Sequence, residues 1–435
     1  MKSQNRNYPQ ERTKKIFVLC AFIFILCVIR VSYGLLSDDA VVAPTITSQT
    51  LWGNFIQRWT YNGRIFTDVL ANIFYRIPIY VWKAFDVCIY ALIALILSKI
   101  YTQNSWIDVL TVCVLILMFP MDYLNSAGYI ASSTNYVYTV AGLLVVQYHL
   151  LLVRKQERIS HLQYPVIVFC ILYITNHDQT AVVLIGGLFL YLIYNVIFSP
   201  GNKAIIKNNV MWLILSVVCY ILMLAIPGHV YRMTNTSEME FWFPQYADWT
   251  LYKKIYHGFS TTVANFLFSN VKLFLLILLL LFILSLSQDK IYKKIIAGIP
   301  ILTIVLSNYI GADKFILFYS YSCGMPDLRP LSESLIPFCV AVLSVCSIYI
   351  TIFTCMTDKK RKYLALMLLV LASGSREMMG LSATLYASSF RTFTFFLYSV
   401  IACCLLILRE LQCGEKSYLW FSSIGAMAAF LILSL

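Results

Sequence analysis

The sequence predicts an all-α polytopic integral membrane protein, and three observations carry that prediction. Of its 435 residues, 60% are hydrophobic and only 12% charged, a balance that excludes an ordinary soluble domain. Apolar runs long enough for bilayer-crossing helices recur from one end of the chain to the other. Lysines and arginines gather in short segments between alternate runs, as cytoplasmic loops require. The formal charge of +13 is thereby explained by topology, and no nucleic-acid motif accompanies it.

The first run, residues 16 to 36, follows a basic tail (residues 1 to 15, with Lys2, Arg6, Arg12, Lys14 and Lys15) that is expected to stay cytoplasmic. No small-residue cleavage site follows it, which argues against a secretory signal peptide. Further runs lie at 79 to 98, 106 to 121, 136 to 153, 164 to 175, 180 to 198, 210 to 227, 262 to 286, 295 to 311, 335 to 356, 363 to 374, 392 to 408 and 419 to 435. The expectation is about 13 transmembrane helices. The runs at 164 to 175 and 363 to 374 are the weak points, being near the length of re-entrant segments.

Alternation from a cytoplasmic N-terminus puts the basic segments 154 to 158 and 358 to 362 inside and the long connections 37 to 78, 122 to 135, 228 to 261, 312 to 334 and 375 to 391 outside. In the first of these, Trp52, Phe55, Ile56, Trp59, Ile65, Phe66, Val69, Leu70, Ile73 and Phe74 recur at near-helical spacing. That spacing fits amphipathic helices in the membrane interface, or a small helical cap. With no repeat, low-complexity tract or soluble domain, residues 1 to 435 read as one integral unit. Eleven of the thirteen cysteines lie in apolar runs, so no disulfide framework and no CxxC metal site is built.

Chemistry is expected at the outer helix ends. Asp38 and Asp39 stand where the first run leaves the membrane, either as solvated stop residues or as functional acids. A carboxylate partly shielded from water can deprotonate an acceptor hydroxyl, and a neighbouring one raises its pKa. Asn62-Gly63-Arg64 closes a tryptophan-rich segment; its guanidinium suits a phosphate, or snorkels to headgroups. Arg391 opens a late helix with the same two readings, while Arg329 and Arg376 are weaker candidates. In residues 132 to 138, small polar residues precede a helix expected to begin at Tyr136; they read as a cap, or as a sugar platform built on Asn135, Tyr136 and Tyr138. The polar turn Asn176-His177-Asp178-Gln179-Thr180 is dense in donors and acceptors, but two ligands make no metal site. No Walker loop, GxGxxG, HExxH or GxSxG motif is present, which leaves nucleotide-driven transport and common hydrolase chemistry unsupported.

Taken in order, the acidic pair after the first helix, NGR (62 to 64), STNYVY (133 to 138), NHDQT (176 to 180) and MGLSATLYASSFRTF (379 to 393) resemble the GT-C superfamily of polytopic glycosyltransferases, in particular bacterial GtrII-like and related membrane families. The resemblance implies a polyprenyl-phosphate-linked sugar donor and transfer to a cell-surface glycan or glycolipid acceptor outside the cytoplasm of a bacterial plasma membrane. It implies Asp38 as base with Asp39 as close second choice, Arg64 and Arg391 as leading phosphate contacts, and Asn62, Asn135, Tyr136, His177 and Asp178 around the sugar or acceptor. Asp178 stands where similar proteins often carry Glu. Inversion at the anomeric carbon is expected; no cofactor is called for, and a divalent metal stays open. The rival readings are a polysaccharide polymerase or ligase, and a secondary transporter or flippase, which would place charges at mid-membrane.

Overall fold

The computed structural model describes residues 8–235, 237–310, 331–412 and 417–432. The described residues are helical throughout, with no strand among them. Among the described residues eight helices are long and apolar enough to cross a membrane, or up to ten if each of two bent pairs is one span. The chain divides into two compact units, the first holding residues 1–116, 121–235 and 390–395, the second residues 117–120, 236–389 and 396–435.

In the first unit the helices are α1 (Tyr8–Val31), α2 (Asp38–Ser48), α3 (Leu51–Tyr61), α4 (Ile65–Arg76), α5 (Ile79–Tyr101), α6 (Trp106–Leu117), α7 (Tyr129–Arg154), α8 (Gln163–Thr175), α9 (Asp178–Phe198), α10 (Lys203–Leu224) and α11 (Pro227–Thr234). Val146, Leu150 and Val153 of α7 pack with Ile167, Ile171 and Ile174 of α8, Leu184 and Leu188 of α9, and Trp212 of α10 into one buried cluster. Phe24, Phe169, Phe189, Ile197 and Leu222 point outward, as expected of surfaces meeting lipid tails.

The connection at 37 to 78 is three short helices. Thr50 opens α3 by accepting a hydrogen bond from the Gly53 amide at 3.0 Å. The α3 helix exposes Trp52, Ile56 and Trp59 on one side and turns Asn54 inward on the other.

The second unit contains α12 (Leu251–Phe268), α13 (Lys272–Leu286), α14 (Ile291–Ile310), α15 (Leu331–Cys355), α16 (Lys359–Glu377), α17 (Thr394–Gln412) and α18 (Ser417–Ile432). Gly258 lies so close to the Glu377 carbonyl that a β-carbon would come within 2.1 Å of it, which brings α12 and the end of α16 into backbone contact. Buried Glu410 accepts from the Thr357 amide at 2.7 Å and pairs with Arg361 at 3.1 Å, tying α17 to the start of α16.

Four differences from the sequence expectation have physical causes. The run at 262 to 286 is two helices meeting at 78°, because α12 starts early on a Thr250 cap and stops before Ser269 and Asn270. The run at 106 to 121 breaks before Pro120 and turns by 43° into a short 3-10 helix. Residues 363 to 374 are the middle of a 23-residue span whose polar ends, Lys359–Arg361 and Ser373–Glu377, hide its length from an apolar count. The helix expected to begin at Tyr136 begins at Tyr129, so residues 132 to 138 are helix interior, with a π-turn at Ser133–Val137, and do not cap it. The segment at 164 to 175 does form a helix of only 13 residues, short of a bilayer's thickness.

Candidate functional site

The two adjacent aspartates have different surroundings. Asp39 is fully buried. It accepts hydrogen bonds from the Tyr75 hydroxyl at 2.5 Å, the Ile130 amide at 2.8 Å and the Ala131 amide at 3.2 Å. Its carboxylate thus caps the N-terminus of α7 from α2 and ties both to α4. Gly128 makes room for it: at φ +83 a β-carbon would sit 2.1 Å from the Asp39 carboxyl carbon. Burial lifts Asp39 above the ordinary carboxylate range, while the three donated bonds pull it back down. Asp38, one residue earlier, is exposed.

Asp38 borders a cavity of about 240 Å³ within the first unit. The other charged walls are Arg58, Arg64, Asp68 and Arg391. Asp68 engages Arg58 at 3.4 Å and accepts from the Asn62 amide at 2.9 Å, which leaves Arg58 compensated. Among the described residues no carboxylate lies within salt-bridge distance of Arg64 or Arg391; Arg391 donates to Ser126 Oγ at 3.4 Å. The cavity is therefore bordered by one carboxylate, Asp38, and by two guanidiniums, none of them in an ion pair among the described residues.

Its floor is neutral. Ala71, Asn72 and Tyr75 of α4 face Ala131, Ser132, Asn135 and Tyr136 of α7. The alanines leave space, and several polar atoms have no hydrogen-bond partner in the protein: both amide atoms of Asn72, Ser132 Oγ and Asn135 Oδ1.

The turn at 176 to 179 holds both arginine-bearing segments. Arg64 precedes α4 without capping it, and the Asn176 side chain caps that helix from outside, accepting from Phe66 N at 2.8 Å and Thr67 N at 3.1 Å. Its amide also donates to the Gly63 carbonyl at 3.2 Å. Gln179 donates to the Thr392 carbonyl at 2.9 Å, beside Arg391. Between them His177 is buried with neither ring nitrogen hydrogen-bonded, edge-on to Tyr136 at 5.0 Å between ring centroids. Burial first, then the charges of Arg64, Arg232 and Arg391, hold His177 well below the usual histidine range and so neutral.

Gly63 sits at φ +75 and Gly228 opposite it; a β-carbon on either would come within 2.7 Å or less of the other segment's backbone. That crossing fixes α11 against the Arg64 loop.

Other sequence candidates are elsewhere. Asp178 faces His229 at 3.6 Å and accepts from Tyr220 at 3.4 Å, and it does not line the cavity. Arg376 is buried at the end of α16 in the second unit. Arg329 lies outside the described residues. Among the described residues no group of three or more His, Cys, Asp or Glu side chains could hold a metal ion.

Sequence reasoning missed Arg58, Asp68 and Asn72, and took Ser132 only as part of the small polar stretch ahead of a helix. A signal was available for the first three: the apolar stripes of α3 and α4 were read, but not their polar complements, and Asp68, Ala71, Asn72 and Tyr75 follow helical i, i+3, i+4, i+7 spacing. The buried pair Arg30–Asp86, at 2.6 Å, was also missed. Arg30 packs over the rings of Tyr33 at 4.5 Å and Tyr90 at 5.0 Å, and Tyr33 stacks on Tyr129 at 3.8 Å. The pair thereby braces the strap between α1 and α2 that leads into Asp38.

No protein-family model, curated protein or solved structure matches this chain. Chemically, the arrangement can hold an anion between Arg64 and Arg391 and present a carboxylate to a group beside it.

Proposed function

We propose that this protein is a GT-C-like membrane glycosyltransferase that moves a sugar from a polyprenyl-phosphate donor to an extracytoplasmic glycan or glycolipid acceptor. The supporting observation is that Asp38, Arg64 and Arg391, distant in sequence, border one cavity, and that neither arginine has a carboxylate partner among the described residues. Such guanidiniums suit a lipid phosphate, whose negative charge grows as its bond to the sugar breaks.

In this reading the Asp38 carboxylate takes the proton of an acceptor hydroxyl. The acceptor oxygen forms a bond to the anomeric carbon, the bond from that carbon to the phosphate oxygen breaks, and polyprenyl phosphate leaves with the electron pair, held by Arg64 and Arg391. A single displacement inverts the anomeric carbon. Asp39, whose lone pairs are engaged by Tyr75 and α7, serves as the anchor for its neighbour. The cavity faces outward in a bacterial plasma membrane with the N-terminus cytoplasmic, a polarity supported by the basic connections.

A transporter reading has one observation in its favour, the buried Arg30–Asp86 pair. Those two charges neutralise each other, whereas Arg64 and Arg391 leave positive charge for a ligand. The test is sugar transfer in membranes from a defined polyprenyl-phosphate-hexose by wild type and Asp38→Asn. Transfer that Asp38→Asn abolishes is expected; full activity in that variant, or no transfer by wild type from any such donor, overturns the reading.

A further inference from the structure

We propose that Asn72, Ser132 and Asn135 form a hydroxyl-reading subsite that accepts a single uncharged, polyhydroxylated sugar ring beside the arginines. The inference rests on the donor reading above and specifies which sugars the site takes.

Three side chains carry it. Each is at least nine-tenths buried, lines the cavity and has polar atoms without a partner in the protein. Leaving such atoms unsatisfied is costly, so a fold that keeps three such side chains together around a cavity holds them for a ligand or water. The three also complement one another. Asn72 presents a carbonyl oxygen and an amide nitrogen, both free, so the reading is the same whichever way the amide is turned. Asn135 has its nitrogen committed to the Ala131 carbonyl at 2.9 Å and offers only its oxygen, as an acceptor. Ser132 offers a hydroxyl that both donates and accepts.

Neighbouring hydroxyls on a ring each donate once and accept twice, which matches this mixture. A carboxylate, acceptor only, could take the Asn72 amide nitrogen and the Ser132 hydroxyl but would leave the two amide oxygens unmet; an ammonium, donor only, would leave the Asn72 amide nitrogen unmet and lie among Arg58, Arg64 and Arg391. Ala71, Ala127 and Ala131 keep the space open, and a cavity of about 240 Å³ has room for one sugar ring.

The experiment measures binding of three synthetic short-chain lipids to the purified full-length protein by calorimetry: prenyl phosphate, prenyl-phosphate-hexose and prenyl-phosphate-hexuronic acid. Wild type is expected to bind the hexosyl lipid roughly tenfold or more tightly than either of the others. Asn72→Leu and Ser132→Ala are each expected to narrow that preference, whereas Arg64→Gln weakens all three lipids together. Ser132→Ala removes one oxygen, so it reports even if Asn72→Leu does not fold. If prenyl phosphate binds in an Arg64-dependent way but the hexose adds nothing, or both floor variants keep the full preference, the subsite is overturned while the lipid-phosphate reading stands. If none of the three lipids binds, both fall.

Discussion

The first unit treats the polar side chains around Arg30 and those around the cavity in opposite ways. Around Arg30 the charges are spent internally: the guanidinium meets Asp86 at 2.6 Å and is walled by tyrosine rings. Around the cavity the polar atoms are left over: Arg64 and Arg391 without carboxylate partners, Asn72 and Ser132 without hydrogen bonds. Both clusters are rich in residues that are costly to bury, so residue type alone does not separate structure from function. Pairing does. Asp38 and Asp39 repeat the contrast at the scale of one peptide bond.

The sharpest way to break the comparison is at that bond. Asp38→Asn is expected to lower sugar transfer by about 10²–10⁴-fold, the usual worth of a positioned base, with thermal unfolding within about 0.5 kcal/mol of wild type. Next in size is the internal pair: Asp86→Ala strands a buried guanidinium and should cost about 3–5 kcal/mol in denaturant unfolding, with much of it recovered in Arg30→Met/Asp86→Leu.

Asp39→Asn keeps the shape but loses charge-assisted bonds to Tyr75 and to α7. A loss of about 1.5–3 kcal/mol at neutral pH is expected, with transfer falling only as far as the fold does. The pH dependence follows from the raised folded-state pKa of Asp39: between the ordinary carboxylate value, about 3.9, and that raised value the folded state binds more protons than the unfolded one. Wild type should therefore gain stability relative to Asp39→Asn as pH falls through the raised pKa, with the gain complete below the ordinary value. Paired unfolding curves across that range read it directly.

The smallest effect is expected in the turn. Asn176→Ala removes the borrowed cap of α4 and should cost about 0.5–2 kcal/mol, with a larger proportional fall in affinity for prenyl phosphate because Arg64 loses its tether.

What could be read in the sequence divides along similar lines. Membrane character, the helical 37 to 78 segment and the sequence positions of Asp38, Arg64 and Arg391 follow from composition, spacing and helix-end placement, whereas Asn135 is singled out in sequence at a helix end it does not occupy. Helix starts that depend on distant partners do not. Tyr129 begins α7 because a carboxylate 90 residues earlier caps it, and no local cap could have announced that. Asn176 reads in sequence only as part of a polar turn, and acts as a cap for a helix more than 100 residues away. Asp178, two residues on, lies against His229 and does not line the cavity. Arg30 and Asp86 lie 56 positions apart, and only packing discloses that they are one unit.

The glycine crossing of Gly63 with Gly228 has a mechanical consequence. Main chain touches main chain there, with no side chain between to deform, so the joint acts as a rivet and not as a cushion. A displacement of α11 is therefore expected to carry the loop that holds Arg64 with it.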